Sequence, residues 1–207
     1  MSEFAQQLIN GLSLGAIYAL IALGYTMVYG VLRFINFAHS EIFMLGSYAG
    51  FYLGRWLGVG EEQKQGLLWF VLVLFGSMLT TALVGFCVEK LAYRPLRKAP
   101  RINVLITAVG VSLLFQFGGQ MLFGPNPRPF PALIDLSTSY HIGELQIDPI
   151  QIVVLAVALS LMLFLEFILF RTKVGKAMRA VSHDHNVALL LGVNVDLIIS
   201  FTFVIGS

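Results

Sequence analysis

The side chains that could do chemistry fall in a few short stretches of the 207-residue chain. Asn36, His39, Ser40 and Glu41 crowd into the link RFINFAHSE between two apolar segments. In a bilayer, polar groups at that density must find partners inside the protein or border a water-filled route. His39, Ser40 and Glu41 include the residue types of a nucleophilic triad, but sequence neighbours do not present their side chains to one another in relay geometry, so catalysis is disfavoured. Gly175 and Lys176 imitate the end of a phosphate loop. Phe170 stands five residues before Gly175, however, and Ala177 follows Lys176, so the GxxxxGK[ST] cradle for ATP is absent. His183 and His185 flank Asp184, but positions i and i+2 of a helix point apart and no HExxH is present; a solvated polar turn fits better than a metal site. No metal, cofactor or catalytic residue is expected. Glu166 lies within the apolar run MLFLEFILF. It is either a proton or cation site or a carboxylate that snorkels or pairs at the interface, since Arg171 is only roughly 7 Å further along a helix axis.

The elements that must position these groups follow from composition. With 57% hydrophobic and 12% charged residues, the chain has more apolar surface than a soluble domain can hide. An all-α, polytopic transmembrane bundle is expected, with five spans at 8–32, 42–57, 67–88, 103–123 and 149–170 and the start of a sixth at 197–207. Gly11, Gly15 and Ala19 in the first span, and Gly46 and Gly50 in the second, repeat every four positions, a spacing that lets helices approach closely. Tyr18, Ala22, Tyr25 and Tyr29 mark another face of the first span, lining either a pathway or ordinary packing and interface anchors. Ser112, Gln116 and Gln120 form a polar stripe on the fourth span, for interhelical hydrogen bonds or a solute route. Cys87, the single cysteine, reads as packing. Residues 58–66 form a polar loop. The proline-rich loop 124–148, whose one Lys or Arg is Arg128, is long enough for a short hairpin around Gly143.

Two basic clusters, Lys90, Arg94, Arg97, Lys98 and Arg101, then Arg171, Lys173, Lys176 and Arg179, lie two crossings apart and mark the cytoplasmic side. Cations so placed report topology, not nucleic acid. Counting crossings puts the N-terminus outside and the 33–41 link inside, unless that link is a broken helix within the membrane, which reverses the parity. Segment 171–196 is too short and polar to span. Val174, Ala177, Met178 and Val181 share one helical face, opposite Lys173, Lys176 and Arg179. Asp184 can cap a second short helix through Leu191, Gly192 suits its C′ position, and Asp196 can cap the next. Such a segment is built to meet a partner.

Two long stretches of the chain carry a resemblance to a known family. GAIYALIALGYTMVYGVLRFINFAHSEIFMLGSY, 15–48, looks like the opening signature of the membrane permease subunits of branched-chain amino acid ABC importers. VGKAMRAVSHDHNVALLLGVNVD, 174–196, resembles that family's cytoplasmic coupling loop, and YRPLR (93–97) and TFVIG (202–206) also fit. The resemblance implies one transmembrane permease domain over 1–207, in a bacterial inner membrane among lipid. Its implied partners are a second permease subunit, cytoplasmic ABC ATPase subunits and a periplasmic solute-binding protein, with no nucleic acid. It further implies that the loop docks the ATPase through a stretch containing Gly175, Met178, Arg179, Ala180, Asp184, Ala188 and Gly192. The solute path is then expected along Tyr18, Tyr25, Asn36, His39, Ser40, Glu41, Ser112, Gln116 and Gln120. Ser40 departs from the family pattern, which usually has glycine there. The family is longer at its C-terminal end, and 197–207 is short for a span, so the chain is expected to be the front part of a longer permease. A self-contained channel or secondary transporter, with Glu166 as its ion site, and an integral-membrane enzyme are the competing classes. Urea and sugar permeases are related in form within the preferred one.

Overall fold

Long runs of leucine, valine, alanine and phenylalanine without interior proline satisfy their backbone groups internally only as helices. The computed structural model describes residues 2–59, 66–97, 99–131, 133, 140–142 and 145–207. Its helices are α1 (Ser2–Leu32), α2 (His39–Trp56), α3 (Leu67–Val88), α4 (Arg101–Phe123), α5 (Pro149–Arg171), α6 (Lys173–His183), α7 (His185–Leu190) and α8 (Val195–Gly206). α3 continues through a π-helical turn, Glu89–Tyr93, and a 3₁₀ turn, Arg94–Leu96. Strands β1 (Tyr140–Ile142) and β2 (Leu145–Ile147) pair antiparallel, Tyr140 opposite Ile147. Gly143, at the expected hairpin, lies outside the described residues, as do Lys98 and 60–65 of the polar loop.

Among the described residues, four helical stretches are long and apolar enough to cross a membrane: Glu3–Leu32, Leu67–Leu96, Ile102–Phe123 and Pro149–Arg171. The 18-residue α2 is not among them, because it carries His39, Glu41 and Arg55. It packs along α3, where Gly46 lets the backbone approach so closely that an added Cβ would lie 2.5 Å from Thr81 Cγ2. His39, Ser40 and Glu41 form the first turn of α2; the link itself is only 33–38. α8 is capped by Asn194, whose side chain accepts from Leu197 N at 3.1 Å. Asp196, expected as that cap, instead sits inside the first turn and pairs with Arg94 at 2.9 Å and with Arg97.

The bundle has two distinct ends. At one, the 33–38 link, the π turn and α6 meet through hydrogen bonds, so Lys90, Arg94 and Arg97 of the first basic cluster lie there with the second. At the other, Gln6 Nε2 donates to Gln146 O at 2.8 Å and Gln151 Nε2 to Asn10 Oδ1 at 2.9 Å, tying the start of α1 to the hairpin and to α5. α8 fills the space between α1 and α3. A Cβ on Gly24 would lie 2.5 Å from Gly206 O, and one on Gly85 2.0 Å from Ser207 Oγ. Gly11 and Gly15 have nothing within 4 Å of such a Cβ. They lie roughly 20 and 14 Å along the axis from the Gly24 crossing, beyond the reach of α8. Cys87, expected in packing, is exposed.

Glycine spacing alone thus does not identify the crossing. Gly85→Leu should displace α8 and lower stability by about 1–3 kcal/mol, while Gly15→Leu should leave the isolated chain unchanged. Thermal unfolding in detergent tests this; equal melting of the two variants would contradict the seating of α8.

Candidate functional site

The corner between α5 and α6 is built by three residues. Thr172 ends α5 by donating to Ile168 O at 2.6 Å and starts α6 by accepting from Gly175 N at 3.1 Å. Gly175 is required by contact, because a Cβ there would stand 2.2 Å from Ile168 O and 2.3 Å from Leu169 O. Arg179 reaches back to donate to Leu169 O, satisfying a carbonyl that the end of α5 leaves open, and its guanidinium lies 5.3 Å from the Phe170 ring centroid. Val174, Ala177, Met178 and Val181 turn inward onto the core, as their spacing predicts.

The far end of α6 rests on α1. Arg33 Nη2 donates to Ser182 O at 2.6 Å and His183 O at 2.5 Å, and Ser182 Oγ donates to Gly30 O at 2.7 Å. Three residues on, Asn36 is buried and its Oδ1 accepts from Tyr93 Oη at 2.7 Å and Ala38 N at 3.2 Å. Tyr93 is edge-on to Phe34 at 5.2 Å, so the link is docked onto the π turn. Just before it, the fully buried Glu89 accepts from Arg97 and, at 2.6 Å, from Ser200 Oγ, tying α3 to α8.

Between α1 and the head of α2 lies a half-open cavity of about 350 Å³, lined by Tyr18, Tyr25, Asn36, His39 and Ser40 together with Ile21 and Phe37. The Tyr25 and His39 rings meet edge-on at 5.9 Å. These five residues of the expected path are therefore brought together. Glu41 is adjacent but does not line the cavity; it accepts from Ser40 Oγ at 2.9 Å. Ser112, Gln116 and Gln120 lie apart from it on α4, Gln116 and Gln120 exposed. Glu166 is exposed on α5, and among the described residues no ion pair joins it to Arg171.

Within the segment 171–196, the residues expected to meet an ATPase divide. Gly175, Met178 and Ala188 are buried in this chain, where they seat the helices of the segment. Ala180 is half-buried, while Arg179, Asp184 and Gly192 are exposed, Gly192 ending the segment at φ 80°. Beside these lies an outward-facing apolar patch: Val187, Leu189, Leu190 and Leu191, the last two 87% and 74% exposed. Sequence periodicity favoured the buried face and passed over these; the leucine run 189–191 on a helix too short to enter a membrane was the available signal. Asp184 caps α7 through the Asn186 and Val187 N–H groups at 2.7 and 3.1 Å, and those bonds hold its carboxyl below the usual carboxylate range. Burial holds the His185 imidazole below its ordinary value, assisted by Arg33 and Arg97.

Residues 7–207 match the family model described as the permease component of branched-chain amino acid transport systems. The chain is 36% identical over 210 residues to the high-affinity branched-chain amino acid transport system permease protein BraD of Pseudomonas aeruginosa, covering 99% of this chain and 67% of that one. It is 36% identical, with the same coverage, to the permease proteins LivH of Salmonella typhimurium and of Escherichia coli. No solved structure gives a significant match.

Two consequences can be measured. Asn36→Ala leaves the buried Tyr93 hydroxyl and Ala38 N–H without an acceptor and should lower stability by about 1–3 kcal/mol; unaltered thermal unfolding would contradict the docking of the link. His185 binds a proton less readily in the folded chain than in the unfolded one, so α7 should loosen as pH falls below the ordinary 6.5, whereas the Asp184 cap persists to lower pH. Hydrogen exchange at 185–190, corrected for intrinsic rates, should quicken between about pH 7.5 and about pH 5.5, and His185→Gln should remove that change. Equal protection at both pH values in the unmodified chain would contradict the burial assigned to His185.

Proposed function

The chain belongs to the family of permease components of branched-chain amino acid transport systems, and we infer that it is the permease of an ATP-binding-cassette importer for leucine, isoleucine and valine. It is a multi-pass membrane protein and a transport subunit, not an enzyme. In this reading it lies in the inner membrane, with the end carrying both basic clusters in the cytoplasm. It works with cytoplasmic ATPase subunits, a second permease and a periplasmic solute-binding protein.

The observation that carries the reading is the exposed apolar ledge Val187–Leu189–Leu190–Leu191, at the same end of the bundle as Lys173, Lys176 and Arg179. Exposed apolar patches of this kind mark an interaction surface, and cations beside them add steering. This chain has no phosphate loop, so a partner has to bind and hydrolyse ATP. The cavity between α1 and α2 supplies the matching interior: an apolar wall of Ile21, Ala22 and Phe37 for a branched side chain, with Tyr18, Tyr25, His39 and Ser40 also in its lining. Binding along such a path is weak, because a conduit must release what it admits, and selectivity then rests mainly with the external binding protein.

The test is reconstitution of the intact transporter, purified from native membranes with its associated subunits, into liposomes. ATP-dependent uptake of leucine that requires the co-purified ATPase supports the reading. Flux without ATP would instead make this a channel or secondary carrier. Leu190→Glu with Leu191→Glu should lower ATPase recovery on purification at least tenfold, about 1.4 kcal/mol or more of docking energy, and leave the permease folded. Undiminished recovery would contradict the ledge as the docking face.

A further inference from the structure

Arg33 occupies a backbone conformation that a side chain should avoid. At φ 56° it is the one non-glycine residue with positive φ among the described residues; the others are Gly58, Gly66, Gly124 and Gly192. In that left-handed region Cβ crowds the following carbonyl oxygen, and the position that ends a helix in this way is ordinarily glycine or asparagine. Arg33 does end α1, its N–H bonding Tyr29 O at 2.8 Å. An arginine held there against its backbone preference is held for its side chain.

That side chain closes the end of α6. Its Nε and Nη2 reach Ser182 O at 3.2 and 2.6 Å, and Nη2 also reaches His183 O at 2.5 Å. These are carbonyls that the last turn of α6 cannot satisfy, at the negative end of its dipole. The reciprocal bond, Ser182 Oγ to Gly30 O at 2.7 Å, starts from α6 and lands on the last turn of α1. α6 is thus clamped at both ends, to α5 by Thr172, Gly175 and Arg179 and to α1 by Arg33 and Ser182. Beyond Arg33 the chain runs directly into Asn36, Phe37, His39 and Ser40, which form one wall of the cavity.

We propose that Arg33 is a positioning residue that latches the end of α6 to the end of α1, so that displacement of α6 by the ATPase moves the 36–40 wall of the cavity. The latch holds throughout the transport cycle: α6, the end of α1 and the link travel as one body. Arg33 itself touches no solute. The proposal rests on the transport reading above and adds the route by which ATP hydrolysis reaches the solute path.

The test uses the intact transporter in liposomes, with ATP hydrolysis and leucine uptake measured on the same preparation. Arg33→Gly removes the guanidinium while giving the backbone the residue it prefers, so subunit recovery and ATP hydrolysis should stay near wild type. Uptake per ATP should fall about tenfold, within the ordinary range of coupling between distant sites. Ser182→Ala, which removes one of the bonds, should show a smaller fall in the same direction. Wild-type uptake per ATP in Arg33→Gly overturns the latch. Loss of assembly in that variant also overturns it, since the contact is then a folding element. A wild-type transporter that moves no leucine with ATP contradicts the transport reading and the latch with it; intact wild-type coupling that Arg33→Gly leaves unchanged contradicts the latch alone.

Discussion

The last carbonyls of a helix have no partner inside it, and near hydrocarbon water does not supply one cheaply. This chain answers that constraint repeatedly with an arginine brought from elsewhere. Arg128 Nη2 donates to Phe123 O at 2.6 Å at the end of α4, Arg179 to Leu169 O at the end of α5, and Arg33 to Ser182 O and His183 O at the end of α6. A guanidinium suits the task because its fork can address two acceptors and its charge complements the negative end of the helix dipole. The bonds of Arg179 and Arg33 also fix the distance between two helices. The corners of the molecule are therefore set by helix ends, and helix packing follows.

A second layer of order comes from buried polar groups near the basic end. Glu89 is removed from water entirely and would be costly if left alone, but Arg97 and Ser200 satisfy it, and Arg97 extends the network to Asp196. Asn36 does the same for the link through Tyr93. Both contacts fall on the π turn, a departure from α-helical pitch that re-aims Glu89 and Tyr93 toward α8 and the link. The end of the bundle that meets the ATPase in the transport reading is accordingly tied by specific hydrogen bonds, while the opposite end is held largely by Gln6, Asn10, Gln151 and aromatic stacking such as Tyr48 on Phe123 at 4.4 Å.

Much of this was legible from the residues. The span 67–88 coincides with α3, the inward face of α6 follows its apolar spacing, and Asp184 and Gly192 bound α7 as cap chemistry requires. What escaped was whatever depends on contact across the sequence. Gly24 and Gly85 are the glycines at the α8 crossings although neither stands out by spacing, whereas a Cβ on Gly11 or Gly15, the regular pair, would find no atom of the described residues beyond its own helix within 4 Å. Asn36 and His39 look alike in a polar link, yet one is an acceptor buried in the docking of the link and the other opens a helix. The role of Arg33 was invisible because neither its backbone angle nor its partners some 150 positions away can be read from local pattern.

Coupling through the Arg33 latch requires α6, the end of α1 and the link to move together. Its most direct test is the distance between spin labels on His183 and Ile35, both exposed, in the reconstituted transporter with Cys87 replaced by serine. The distance should be the same without nucleotide, with ATP trapped and after hydrolysis. A distance that lengthens or splits into two populations during the cycle would show that α6 leaves α1, and would contradict the account.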